Sequence, residues 1–285
     1  MSIKVLTKSE NKMLINCRGN LIDLSSPKVM GIVNLTPDSF YAESRQTELV
    51  SILKKVEEML IEGADFIDLG AYSSRPNSID ISLEEELKRS ETISSIAKEF
   101  PKAILSIDTF RSEVAIKAIE HGACIINDIS GGELDPNMFE TVAKLQVPYI
   151  MMHMKGNPQT MKNETDYVDL LNDINRYFSS KINQLKQLGV NDIIIDPGIG
   201  FAKNANQNFK ILQHLQQFQI FGLPLLIGLS RKSFISKTLN VDTSETLNGT
   251  TVLNSLALIN GAKILRVHDV KEAKQAVRLF EAFLD

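Results

Sequence analysis

Residues 193–203 read Ile-Ile-Ile-Asp-Pro-Gly-Ile-Gly-Phe-Ala-Lys, a β-branched run that ends on Asp196 and is turned at once by Pro197 and Gly198. Three consecutive isoleucines leave neither face of a strand to water, so this strand belongs in a parallel sheet covered on both sides. A buried strand that releases an acid at its mouth is a pattern, and it recurs. The same passage from apolar run to polar residue ends at Asp68, Asp108 and Asp128, and with other polar types at Asn34, His153, Ser230 and Arg266.

Outward from this stretch, strand-length apolar runs alternate with helical periodicity. The runs are 29–35, 66–69, 103–107, 125–129, 148–152, 193–196, 225–228 and 264–267. Between them lie helices with readable punctuation. Leu49, Ile52, Leu53, Val56, Met59 and Leu60 mark the first, and Ser82-x-x-Glu85 opens the second, which runs to about Lys98. A third spans 112–120 and closes on His121-Gly122; Asp135-Pro136 starts a fourth. A helix of about twenty residues ends near Gly189, and others cover 208–217, 245–260 and 270–283. Eight strand–helix units predict a (β/α)8 barrel in a single domain, 1–285, whose first 27 residues form an extension with a hairpin cap around Arg18-Gly19-Asn20. The rival is a doubly wound open sheet, and no GxGxxG follows the first strand to favour it.

Bulk composition narrows the class. Hydrophobic residues at 43% and charged ones at 23% fit a globular, enzyme-sized protein with a large core. A net charge of −4 without a basic stripe excludes binding to nucleic acid through counterion release. Cys17 and Cys124 lie about a hundred positions apart with no zinc spacing, which predicts neither a disulfide framework nor a zinc site. Charges interrupt the N-terminus before a signal core forms, and no run reaches the ~18 apolar residues of a membrane span, so the expected location is the cytoplasm.

In such a barrel the carboxyl ends of the strands form the site. Asn34, Asp68, Asp108, Asn127, Asp128, His153, Asp196, Ser230 to Ser233, Arg266 and His268 fall there. Asn and Asp after a strand often only cap or turn, and Asp128 and Asp135 fit that bland role best. Met151, Met152 and Met154 suit core and pocket lining better than a cofactor box. Convergence is what the bland reading leaves unexplained: acids Asp108 and Asp196, amide Asn127 and cations Lys232, Arg266 and His268 meet at one end. This mixture suits a flat nitrogen heterocycle carrying an anionic group.

The motifs MGIVNLTPDSF (30–40), IDLGAYSSRP (67–76), SIDTFR (106–111), INDISGG (126–132), MHMKGNP (152–158), DPGIGFAK (196–203), SRKS (230–233) and RVHDV (266–270) together resemble the dihydropteroate synthase family over nearly the whole chain. The resemblance implies a TIM-barrel transferase of folate biosynthesis. It would condense (7,8-dihydropterin-6-yl)methyl diphosphate with 4-aminobenzoate, with Mg²⁺, and work as a homodimer without nucleic-acid or membrane partners. Matching residues carry over as follows: Asp108, Asn127, Asp196 and Lys232 on the pterin, Met152 in its pocket, Asn34 as a Mg²⁺ ligand, and Arg266 with His268 on the diphosphate. Phe201, Ser233, Ser74 and Arg75 would lie on the 4-aminobenzoate side. Asp108, Lys232 and Arg266 are the expected catalytic groups.

Some loops depart from the family pattern, with Tyr41 to Arg45 and Ala71 to Ser73 where glycines are usual, and with Ile199 and Ala202 in DPGIGFAK. Fewer glycines leave fewer backbone states for loops that must close. Two other readings stand beside this one: a corrinoid-linked pterin methyltransferase and a non-catalytic pterin-binding barrel. Asn34, Arg266 and His268 count against the first, and Lys232 with the Arg266 and His268 pair counts against the second.

Overall fold

Residues two apart on a strand share a face, and the barrel strands use that step to divide floor from rim. The computed structural model describes residues 12–35, 42–72 and 80–284, without the side chains of 42–47. Among these, β3 (Lys28–Asn34), β4 (Phe66–Gly70), β5 (Leu105–Asp108), β6 (Ile125–Asp128), β7 (Tyr149–Met152), β8 (Ile193–Asp196), β9 (Leu226–Gly228) and β10 (Ile264–Val267) form one parallel sheet. Its order is β8-β7-β6-β5-β4-β3-β10-β9, and a parallel bridge between Ile195 and Leu225 brings its two ends together. The barrel predicted from the alternating pattern is the observed fold.

Inside it, Met30, Phe66, Ile125, Ile150, Ile194, Leu226 and Ile264 pack as one apolar layer. Two residues further along four of the same strands stand Asp68, Asn127, Asp196 and Arg266. The intervening residues, among them Ile67, Ile126, Ile193, Ile195 and Leu265, face outward and pack with Val56, Met59, Ile93, Val114, Ile174 and Val277 of the helices. A strand apolar on its outer side and at its lower inner side thus carries its polar residue only at the top.

The layer is closed from below by a hairpin, β1 (Leu14–Cys17) and β2 (Asn20–Asp23). Arg18 and Gly19 both take positive φ, 55° and 88°, the two-residue turn that matches the twist of paired strands. Ile15, Cys17 and Leu24 plug the floor, and the Asn16 amide donates to Asp192 at 3.1 Å. Both cysteines are free and buried here, with the Cys124 thiol donating to the Leu105 carbonyl at 3.5 Å, and the neighbouring Cys124 together with burial raises the Cys17 thiol far above its usual range. The fold therefore brings together two residues whose spacing suggested no relation.

The helices depart from expectation in five places; in one, Asp135-Pro136 does not open its helix, which begins at Met138, because Asp135 accepts from the amides of Ser112 and Asn137 in the turn before it. The first, α1 (Ala42–Ile61), begins before the expected apolar positions. The second divides into α2 (Leu83–Ser90) and α3 (Thr92–Glu99), because the buried Ser90 hydroxyl donates back to the Leu87 carbonyl at 2.6 Å and competes with the helical ladder. Glu85 completes only half of the capping box: Ser82 accepts its amide, while its carboxylate pairs with Arg89 at 2.9 Å. After α4 (Ser112–Glu120), α5 (Met138–Leu145) and α6 (Leu170–Gln187), helix α7 (Ala205–Gln213) starts three residues ahead of its reading, on an Asn204/Gln207 capping box. A short α8 (Ser233–Leu239), not expected at all, precedes α9 (Leu247–Ile259) and α10 (Val270–Leu284). Seven residues hold too few turns to show a period. No helix among the described residues is long and apolar enough to cross a membrane.

Candidate active site

Arg266 rises from the top of β10 and turns its guanidinium into the barrel. Its Nε donates to Asp68 Oδ2 and its Nη2 to Asp108 Oδ2, each at 2.6 Å. Asn127 Nδ2 donates to the same Asp68 oxygen at 2.9 Å. Burial pushes the Asp108 carboxyl up to about 7, with Arg266 opposing and Asp68 adding to the rise. Asp196, at the end of β8, is raised by burial as well, while the Gly198 amide that donates to its Oδ1 at 2.8 Å pulls the other way. Burial lowers Lys232 to about 8, with Arg266 adding to the effect. Three acids and two cations therefore share one buried basin, in which burial raises Asp108 and Asp196 and lowers Lys232.

The turn after β8 is shaped by close approaches. Gly198 sits at φ 70°, and a Cβ there would lie 2.0 Å from the His153 carbonyl oxygen; at Gly200, φ 84°, it would lie 2.9 Å from Lys232 Cδ. Only glycine fits either position. The space spared at Gly200 lets Lys232 cross to the Phe201 ring, with Nζ 4.1 Å from the centroid. Ala202, where a glycine is usual in the family pattern, nonetheless takes φ 50° and packs its methyl with Ile129, Met152, Met154, Met161 and Phe201. Ile199, the other departure, is buried in the main core.

Lys203 ends this segment and points back under it. Its Nζ donates to the carbonyls of Phe201 (2.9 Å), Gly198 (3.0 Å) and His153 (3.3 Å) and lies 3.1 Å from His153 Nδ1. Burial lowers the amine to about 7 and, with Lys203 beside it, drives His153 well below the usual imidazole range. His153 is thus a neutral structural group. On the far side, Arg231 at φ 55° clasps Asp269 through Nε (3.1 Å) and Nη2 (2.5 Å), joining the loops after β9 and β10 that carry Lys232 and His268.

The structure gathers Asp108, Asn127, Met152, Asp196, Phe201, Lys232 and Arg266 into this basin. Asn34 and Ser233 stand at its exposed edge, and His268 sits on Ser230, with Nδ1 3.1 Å from Oγ. Ser74, Arg75, Pro76 and Asp38 lie outside the described residues. Asp128 holds the role expected of a turn residue: it accepts from the Ser130 amide and hydroxyl, the Gly132 amide and the Tyr149 hydroxyl. Met151 and Met154 are packing residues too. Asp68 was placed at this rim by the strand pattern without a role, and Lys203 was missed, with no signal beyond its motif.

The family profile described as "Pterin binding enzyme" matches residues 30–268. The chain is 42% identical over 275 residues to the dihydropteroate synthase of Escherichia coli K12, covering 95% of this chain and 97% of that one. The chain belongs to the dihydropteroate synthase family. It is a transferase of folate biosynthesis. Among solved structures, dihydropteroate synthase from Yersinia pestis with a sulfonamide drug superposes with a TM-score of 0.88 at 39% identity, covering 95% of this chain and 99% of that one. The Xanthomonas albilineans dihydropteroate synthase in complex with 7,8-dihydropteroate gives 0.84 at 32%, with 95% and 98% coverage. Dihydropteroate synthase ancestry accounts for the rim motifs appearing together and in order.

The clamp under this site has a measurable signature. Unfolded, Lys203 takes up its proton at the ordinary 10.5; folded, at about 7. Between these values the unfolded chain binds more protons, so the stability due to this lysine rises with pH from about 7 to about 10.5. The melting-temperature difference between the parent and Lys203→Met is expected to widen in the parent's favour from pH 7 to pH 9.5. A difference that stays level or narrows would contradict a lysine whose proton affinity is lowered by burial.

Proposed function

We propose that this basin carries out the dihydropteroate synthase reaction, the condensation of (7,8-dihydropterin-6-yl)methyl diphosphate with 4-aminobenzoate to give 7,8-dihydropteroate and diphosphate. The observation that carries the reading is the convergence of Asp108, Asn127, Asp196, Lys232 and Arg266 from five strands on one mouth. Asp196 spends one oxygen on its own turn and keeps the other for a ligand N–H, and Asn127 supplies a further acceptor. Lys232 donates to ring oxygen and nitrogen. Met152 and Phe201 offer apolar surface for the flat ring.

Loss of diphosphate leaves positive charge on the methylene and the pterin ring, which an adjacent carboxylate stabilises. Asp108 is that group. In the ligand-free arrangement its Oδ2 is held by Arg266. A diphosphate at the rim competes for the guanidinium and releases the acid's charge to the ring as the bond breaks. His268, on the loop after β10, shares the diphosphate with Arg266. The aromatic amine then attacks the methylene, and Phe201 and Ser233 flank its approach.

Mg²⁺ fits the donor chemistry at the edge. Asn34 ends β3 with a hard amide oxygen above Gly70, and such an ion takes few protein oxygens when phosphates complete its shell. When bound it would offset charge developing on the leaving diphosphate. For assembly we propose a homodimer through α9 and α10, which pack side by side and expose Val252, Leu256, Leu279 and Phe283.

Asp196→Asn keeps shape and still accepts from Gly198, so the ligand-free melting temperature should barely change. The amide sets a donor against a ligand donor, a loss of about 3–5 kcal/mol, or two to four decades in kcat/KM for the pterin diphosphate. Diphosphate release and dihydropteroate formation, followed together, measure it. Kinetics within about threefold of the parent would reduce Asp196 to a turn residue and withdraw the pterin assignment. Exhaustive chelation is expected to abolish turnover, with Mg²⁺ restoring it; full activity after chelation would exclude the metal role. Sedimentation should show a dimer that Phe283→Glu converts to monomer, and a monomeric parent would refute that assembly.

A further inference from the structure

We propose that Asp68 is a positioning residue that fixes which end of the Asn127 amide faces the ligand, and so sets the pocket's preference for a ring amino group over a ring carbonyl. The proposal rests on the pterin reading above. Asp68 lies wholly buried on β4, opposite Ser106 in the register with β5.

Its Oδ2 receives Arg266 Nε at 2.6 Å, so this oxygen belongs to an ionised carboxylate in an ion pair and can only accept. The Asn127 group 2.9 Å from the same oxygen is therefore the amide nitrogen. An oxygen there would face an oxygen. The amide is planar, so pinning Nδ2 below leaves Oδ1 as the acceptor turned away from Asp68, and no described residue donates to it. Asp196 at the end of β8 presents a second acceptor in the same basin. Two acceptors at fixed positions suit a ring edge with N–H and NH₂ donors and oppose a ring that carries a carbonyl there.

A second observation separates this role from simple charge balance. Among the described residues Asp68 Oδ1 has no hydrogen-bond partner in its buried place, nor does the Ser106 hydroxyl, its register neighbour on β5. A carboxylate kept only to neutralise Arg266 gains by using both oxygens, and the Arg266 fork instead divides itself between Asp68 and Asp108. Asp68 is held where its Oδ2 reaches Arg266 and Asn127 together, at the expense of its other oxygen.

The test compares two probes by calorimetry, pterin and lumazine, which share the bicyclic ring and the 4-oxo group and differ in a 2-amino against a 2-oxo group, with the N1 proton that the oxo form carries. The parent should bind pterin more tightly by about tenfold or more. In Asp68→Asn the residue can donate or accept, Asn127 is free to present either end, and the ratio should fall about fivefold while the absolute affinity of both probes also drops. The exchange Asp68→Asn with Asn127→Asp keeps the charge count, restores a donor–acceptor pair, leaves a carboxylate oxygen toward the ring, and should recover the ratio. It also carries the test if the single variant does not fold. Equal weakening of both probes at an unchanged ratio, or no recovery in the exchange, would overturn the proposal and leave the pterin reading intact. No preference for pterin in the parent would overturn the pterin reading itself.

Discussion

A single carboxylate oxygen, Asp68 Oδ2, accepts one hydrogen bond from Arg266 and one from Asn127, and the mouth of the barrel is assembled on that junction. Three acids at the top of an apolar cylinder would repel one another and draw in water. Arg266, spread across Asp68 and Asp108, and Lys232, near Asp196, make the cluster tolerable. Removing one partner from a buried pair of this kind strands the other at a cost of about 3–5 kcal/mol. The polar layer is therefore all or nothing, and it stands only because the layer beneath it is dry. Hairpin, floor and junction form one vertical stack.

The turn after β8 shows how the rim is kept rigid without regular structure. Lys203 supplies from below the donors that a strand partner would otherwise provide, satisfying three carbonyls at once. Ala202 and Arg231 hold left-handed backbone that a side chain resists, each kept there by its surroundings: apolar packing for the first, the Asp269 clasp for the second. Strain of this order collects on both sides of Lys232, the residue that must reach across to the ring. Precision at that amine is obtained from its supports on either flank.

Asp128 and Asp196 make a direct comparison, since both end barrel strands and both are buried. Asp128 accepts from Ser130, Gly132 and Tyr149 and is complete within the fold. Asp196 accepts only from Gly198 among the described residues and keeps an oxygen in reserve. Identical chemistry serves structure in one case and waits for a ligand in the other. The difference lies in what the neighbouring elements bring to each oxygen.

Much was legible in the chain alone. Strands β8 and β10 agree residue for residue with their apolar runs, because a strand buried on both faces cannot hide its composition. The hairpin was equally plain, since a two-residue turn needs a glycine that can take positive φ. Motif order placed Asp108, Asn127, Asp196, Lys232 and Arg266 at one rim. What sequence could not supply was partnership across strands. Arg266 was read as a free cation for an anion, yet it lies across Asp68 and Asp108, 198 and 158 positions away. Cys17 meets Cys124, and Lys203 meets His153, for the same reason: closing a sheet into a ring makes neighbours of residues whose separation along the chain carries no trace of the contact. Local pattern decides which residues point inward and at what height, and only closure decides whom they meet there.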